Sequence, residues 1–152
     1  MDFQVEIPFG RLLGLELVRI EPALAVLALD LRPELTNSWA VAHGGVTMTL
    51  LDVAMAHAAR SPRATGGDWF PGVVTVEMKT SFLRAAEGRL RAVGHLLHRT
   101  TTMAFTEGHV YDEDHHLCAH ATATFKFLRA LPTKGRQSKA LQHNPGSGDT
   151  PS

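Results

Sequence analysis

Disulfides and net charge are what this sequence lacks first. Its 152 residues hold one cysteine, Cys118, so no disulfide can form within the chain. Fifteen Lys+Arg stand against fifteen Asp+Glu, a formal net charge of +0, which argues against a general nucleic-acid binder, whose affinity rests on excess positive charge. The opening segment Met1-Asp2-Phe3-Gln4-Val5-Glu6 is acidic where a secretory leader would be basic and then apolar. The longest stretch free of Asp, Glu, Lys and Arg, Leu35 to Leu51, is broken by Thr36, Asn37, Ser38, His43, Gly44 and Gly45, so it fails as a membrane span. The expectation is a cytoplasmic protein with no nucleic-acid or membrane partner. Internal repeats and coiled-coil heptads are also missing.

What is present is ordinary globular material: 44% hydrophobic and 20% charged residues, in a length that suits one domain with one core. That domain is expected over 1–132. Beyond Pro132 the chain is rich in Lys, Arg, Gln, Gly, Ser and Pro without apolar periodicity, so 133–152 is expected to be a disordered tail. Leu15 to Leu31 reads as two strands around a turn at Glu21-Pro22, the second an apolar run buried on both faces. Val46 to Arg60, rich in Met, Leu and Ala and free of Gly and Pro, predicts the one long helix. Arg63 to Pro71, with Gly66-Gly67, predicts a loop. Strands follow over Val74–Phe82, Gly88–Arg99, Thr102–Tyr111 and Leu117–Phe127, the last two joined by a turn at Asp112–His116. In the first of these Val74, Val76, Met78 and Phe82 alternate with Thr75, Glu77, Lys79 and Ser81, which puts Thr75 on the polar face. Connections this short require antiparallel pairing. The fold class is therefore α+β, a curved antiparallel sheet of about six strands around one central helix.

Two features carry chemistry. Asp52 sits on the apolar helix with Met48 at i−4 and Met55 at i+3; a carboxylate desolvated there has a raised pKa and can act as a base near neutral pH, or it can simply hold a structural partner. His43-Gly44-Gly45 opens the same helix, where unpaired N–H groups and the positive dipole end favour an oxyanion, although a glycine pair can also serve only a tight turn. Gly44 and Asp52 are eight residues apart, about 12 Å along a helix. A base and an oxyanion donor must each lie within about 3 Å of the atoms they serve, so these two cannot share a substrate within one chain. Two copies packing their helices antiparallel about a two-fold axis could bring Gly44 of one to Asp52 of the other.

Asn37, His43-Gly44-Gly45, Leu51-Asp52 and the strand Gly72-Val73-Val74-Thr75-Val76-Glu77-Met78 together resemble the hotdog-fold acyl-CoA thioesterases of the phenylacetate-pathway type, over about residues 10–128. The resemblance implies a homodimer, further paired as a dimer of dimers, that hydrolyses an aromatic or medium-chain acyl-CoA with no cofactor besides the coenzyme A of its substrate. It implies that the Gly44 N–H polarises the thioester carbonyl with Asn37 supporting it, that Asp52 of the partner subunit acts as base or nucleophile, and that Thr75 helps hold the water. His43 and Gly45 would border the substrate; Trp39, Met48 and Met55 would line the acyl pocket or simply belong to the core; and Arg84 and Arg99 would meet the nucleotide phosphates or stand as solvated surface arginines.

Two other readings compete. A hydratase or dehydratase on this fold usually needs an Asp and His pair ahead of the helix, and Leu35 to Ala42 contains no acid. A non-catalytic acyl-CoA binding or regulatory protein would not need the base. No metal is expected: His109, Asp112, Asp114, His115, His116, Cys118 and His120 are concentrated but match no zinc spacing, and His109, His115 and His120 have no defined common face.

Overall fold

A row of small residues decides where the long helix lies. The computed structural model describes residues 1–3, 5–63 and 72–128. Six strands, β1 (Glu16–Glu21), β2 (Leu24–Asp30), β3 (Val73–Phe82), β4 (Arg89–Arg99), β5 (Met103–Tyr111) and β6 (Leu117–Phe127), form one antiparallel sheet in the order β1-β2-β4-β5-β6-β3. Their pairing lines up Ala25 with Gly94, Gly94 with Gly108, and Gly108 with Ala121 across four strands. The long helix α2 (Gly44–Arg60) sits in this trough. A Cβ on Gly94 would lie 2.5 Å from the Ala54 carbonyl group, and one on Gly108 would lie 3.0 Å from Leu51. Side chains there would lift the helix off the sheet. Around the trough Leu27, Leu29, Leu50, Leu51, Met55, Leu90, Val110 and Phe125 close the core.

The expected arrangement of one long helix on a six-stranded antiparallel sheet is the one observed, and Ala25 to Leu29 of β2 is buried on both faces as its unbroken apolar run implied. Helix α2 starts two residues before the predicted Val46, at Gly44. A short helix α1 (Pro8–Leu13) was not foreseen, although its sequence carries the signals: Pro8 in the first turn and Gly14 as the left-handed cap. The predicted loop at Arg63 to Pro71 falls almost wholly, and the predicted tail at 133–152 entirely, outside the described residues. Among the described residues no helix is long and apolar enough to cross a membrane.

The far end of α2 is tied down by two side chains. Ser61 Oγ donates to the Ala58 carbonyl at 2.7 Å and accepts the Ala23 N–H at 2.8 Å, locking the β1–β2 turn to the helix end. Arg99 Nη2 donates to the Ala59 carbonyl at 2.6 Å and the Ser61 carbonyl at 3.2 Å, placing a cation on the negative end of the helix dipole.

Candidate active site

The start of α2 is capped by a histidine ring. His43 Nδ1 accepts the Gly45 N–H at 2.9 Å, and the His43 carbonyl accepts from Val46 at 2.9 Å and Thr47 at 3.2 Å. An Nδ1 that accepts leaves the neutral ring its proton on Nε2. Gly45 is thereby spent as a donor. Among the described residues the Gly44 N–H has no acceptor, and it is the first-turn donor left for a ligand.

Gly44 lines an open cleft of about 430 Å³ with Asn37, Thr47, Phe82, Arg84 and Cys118. Asn37 stands on a tight loop in which its Oδ1 accepts the Trp39 N–H at 2.9 Å and the Val41 N–H at 3.4 Å. Backbone N–H groups fix the oxygen of that amide, so what Asn37 has left to offer a ligand is its NH₂ group. Cleft and helix start therefore present the Gly44 N–H and the Asn37 NH₂ group, and the cleft lining holds no carboxylate. Arg84 is exposed at the cleft, on a segment held by Leu83 and Arg84 N–H groups donating to the Cys118 carbonyl at 2.8 and 3.1 Å.

Asp52 lies two turns farther along, on the stripe Met48, Thr49, Asp52, Ala56, the half-buried face of a helix whose other residues from Val46 onward are buried. The Thr75 hydroxyl donates to Asp52 Oδ1 at 2.7 Å. Burial pushes the Asp52 carboxyl above its ordinary value, and the Thr75 hydrogen bond partly opposes that rise. The result is a carboxylate of enhanced basicity with one oxygen held by a hydroxyl.

Thr75 corrects the alternation read from the sequence. The register steps from Thr75 opposite Phe125 to Glu77 opposite Thr124, leaving Val76 as a bulge, 55% exposed. Thr75 therefore shares the inner face with its partner Phe125, and the outward residues resume at Glu77, whose carboxylate accepts the Thr124 hydroxyl at 2.7 Å. Strict period-2 counting cannot see an inserted residue.

Three more expected site residues lie outside the Gly44 cleft. Met55 is 0% exposed and packs beneath Gly108, so it is core and no pocket wall. Trp39 is 83% exposed and lines no described cleft. Arg99 is engaged at the C-terminal end of α2, the opposite end from Gly44, because the free carbonyls there attract a cation. Met48 is half-buried, one helical turn before Asp52. Phe82 and Cys118 were missed as cleft residues. Phe82 carried a faint signal as a large apolar residue at a strand end, whereas Cys118 reaches the cleft only through the β3–β6 pairing, which no local pattern reveals.

Comparison with known proteins agrees with this architecture. Residues 40–119 match the thioesterase superfamily. The medium/long-chain acyl-CoA thioesterase YigI of Salmonella typhimurium is 32% identical over 135 residues, covering 81% of this chain and 87% of that one. A protein of Pseudomonas aeruginosa of known structure is 32% identical, with a TM-score of 0.73 over 82% of this chain and 97% of its own. The PaaI protein of the Escherichia coli phenylacetic acid degradation operon has a TM-score of 0.71 over 79% of this chain and 83% of its own, and at 18% identity that likeness speaks for the fold alone. With a helix-start N–H donor in a cleft and a basic carboxylate farther along the same helix, the chain belongs to the thioesterase superfamily, carries its hotdog fold and is a thioester hydrolase.

Proposed function

We propose that the protein hydrolyses medium- or long-chain acyl-CoA to the free acid and CoA, in sites shared between two copies of the chain. One observation carries this reading: the cleft around Gly44 has donors and no base, while Asp52 stands about 12 Å along the same helix with, among the described residues, no oxyanion donor beside it. Each half lacks what the other supplies. Strand β3, which holds Thr75 against Asp52, lies at the end of the sheet with one edge unpaired among the described residues, and ten residues of open edge invite a second copy. A two-fold axis there generates two equivalent sites. The YigI relatives favour an aliphatic acyl group over the aromatic one.

In this mechanism the thioester oxygen accepts the Gly44 N–H and the Asn37 NH₂ group, which draws electron density from the carbonyl carbon and holds the developing oxyanion. A water held between Thr75 and Asp52 of the partner subunit attacks that carbon as Asp52 takes its proton. The tetrahedral intermediate collapses, the C–S bond breaks, and the proton on Asp52 passes to the departing sulfur. The products are a carboxylic acid and the CoA thiol, and Asp52 is again ionised. Arg84, at the cleft mouth, offers a cation for a CoA phosphate, and Met48 offers apolar surface to the acyl chain.

The test is release of CoA thiol from a panel of aliphatic and aromatic acyl-CoAs, with enzyme-only blanks for Cys118. Asp52→Asn should lower kcat by about 10²- to 10⁴-fold while staying folded. Mixing inactive Asp52→Asn with inactive Asn37→Ala should restore activity in the heterodimer, since one of its two sites then has both intact halves. Verified heterodimers with no recovery would remove the shared site, and a wild type that binds acyl-CoA without releasing thiol would make the protein a binding module.

A further inference from the structure

His109 and His120, which the sequence left without a common face, are direct cross-strand partners on β5 and β6. Their neighbours Val110 and Ala119 are fully buried against α2, so both imidazoles leave the sheet on the side away from the helix. The two ring centroids are 4.8 Å apart. Glu107, two residues earlier on β5, projects from the same face, with one carboxylate oxygen 3.7 Å from His109 Nε2 and the other 3.7 Å from His120 Nε2. His95, opposite Glu107 on β4, brings a third imidazole with its centroid 6.4 Å from that of His109. All four residues are half-buried.

These groups converge without satisfying one another. A separation of 3.7 Å is longer than an N–H···O hydrogen bond, so the Glu107 carboxylate bonds neither ring. One donor atom each from Glu107, His109 and His120 lies within 4.8 Å of the others. Tetrahedral zinc, with ligand bonds of about 2.0–2.1 Å, holds its donors roughly 3.3 Å apart, so side-chain rotations of about 1 Å close the set. We propose that Glu107, His109 and His120 form a binding site for a divalent transition-metal ion, zinc above all, which staples β5 to β6 on the outer face of the sheet. Two imidazoles and one carboxylate suit zinc and disfavour magnesium and calcium, which take oxygen ligands. His95 stands near enough to serve as a fourth ligand or to hold a bound water.

A second cluster, Asp112, Asp114 and His116, is of a different kind. Asp112 Oδ1 already accepts the N–H groups of Asp114 at 3.0 Å and His116 at 2.9 Å, so that carboxylate scaffolds the β5–β6 turn. It provides an internal control. The Glu107 site faces away from α2 and from the Gly44 cleft, so metal should act on stability and leave thioester hydrolysis unchanged.

The experiment uses tag-free, chelator-treated full-length protein, titrated calorimetrically with zinc chloride and spectroscopically with cobalt(II), alongside thermal melts. The expected result is one ion per chain, a visible cobalt band of tetrahedral intensity, and a melting temperature that rises with zinc. His109→Ala and His120→Ala should each lower zinc affinity by about 100-fold or abolish binding, while His116→Ala leaves it unchanged. Folded wild type that shows no binding heat and no cobalt band up to about 1 mM metal overturns the proposal. Stoichiometric binding that survives in the His109→Ala/His120→Ala double variant overturns it equally.

Discussion

The Thr75 hydroxyl donates a 2.7 Å hydrogen bond to Asp52 Oδ1, across 23 residues of sequence and by way of a single bulged residue, Val76. The bond stabilises the ionised carboxylate and opposes the rise that burial imposes, so it helps to set the pH at which Asp52 can accept a proton.

Replacing Thr75 by Val removes that stabilisation and lets the Asp52 pKa rise further. Because the base works ionised, the acid limb of the kcat profile should move to higher pH, and kcat on the plateau should fall by about tenfold for one lost hydrogen bond. Thr75→Ser should restore the wild-type limb. An acid limb unmoved in Thr75→Val would show that the hydroxyl does not tune Asp52. A merely structural threonine would change the plateau or the stability and leave the limb in place.

The two arginines should separate kinetically. Arg99→Ala removes a charged cap from the end of α2 and should cost about 1–2 kcal/mol of stability in urea unfolding, with KM for acyl-CoA unchanged. Arg84→Ala should raise KM several-fold for acyl-CoA and not for a short thioester that lacks the nucleotide. A large KM effect in Arg99→Ala with stability intact would return that residue to the nucleotide site.

His57 should make the protein acid-sensitive. The ring is 4% exposed, its Nδ1–H donates to the Val53 carbonyl at 2.8 Å, and its Nε2 is buried with no hydrogen-bond partner among the described residues. Burial lowers its pKa from 6.5 to about 4. Between those values the unfolded chain takes up a proton that the folded chain refuses. Stability is therefore full above pH 6.5 and falls as the pH drops toward 4, by up to about 3 kcal/mol. His109, also held below its ordinary range by burial, acts in the same direction, whereas the lowered carboxyls of Glu16 and Asp112 lose their contribution only at lower pH. The diagnostic quantity is thus the difference between wild type and His57→Leu. The variant should be the less pH-dependent of the two in urea unfolding across this window, and equal slopes would refute the assignment.

What the sequence disclosed divides by range. Helix α2, the antiparallel strands and the contrast between Gly44 and Asp52 depend on composition, on period and on a rise per residue, all of which are local. The place of Thr75 depends on a bulge that shows only in the β3–β6 register. The meeting of Glu107, His109 and His120 depends on which residue of β6 stands opposite His109, and one step of register would have sent one ring into the core. Met55 and Arg99 misled for a related reason. Helical spacing puts Met55 near Asp52, but the trough at Gly108 draws its side chain under the sheet, and the chain of Arg99 returns to the end of α2 from 38 to 40 residues away.

That trough gives a final expected outcome. Gly94 has no room for a methyl group: its Cβ would lie 2.5 Å from both the Ala54 carbonyl carbon and oxygen and 2.7 Å from the Met55 nitrogen, all helix backbone that cannot rotate aside. Gly94→Ala must push α2 away from β4 and should cost about 1–3 kcal/mol or more. At Gly108 the contacts are side-chain atoms of Leu51 and Met55 at 3.0 to 3.2 Å, which can shift, so Gly108→Ala should cost clearly less. The damage at Gly94 should also reach the chemistry, because Asp52 is two residues before Ala54 and moves with it, stretching the bond to Thr75. Urea unfolding of both variants, with kcat measured on the fraction that remains folded, checks the order. Equal costs at the two glycines would mean that the helix is seated by its side chains and not by its backbone.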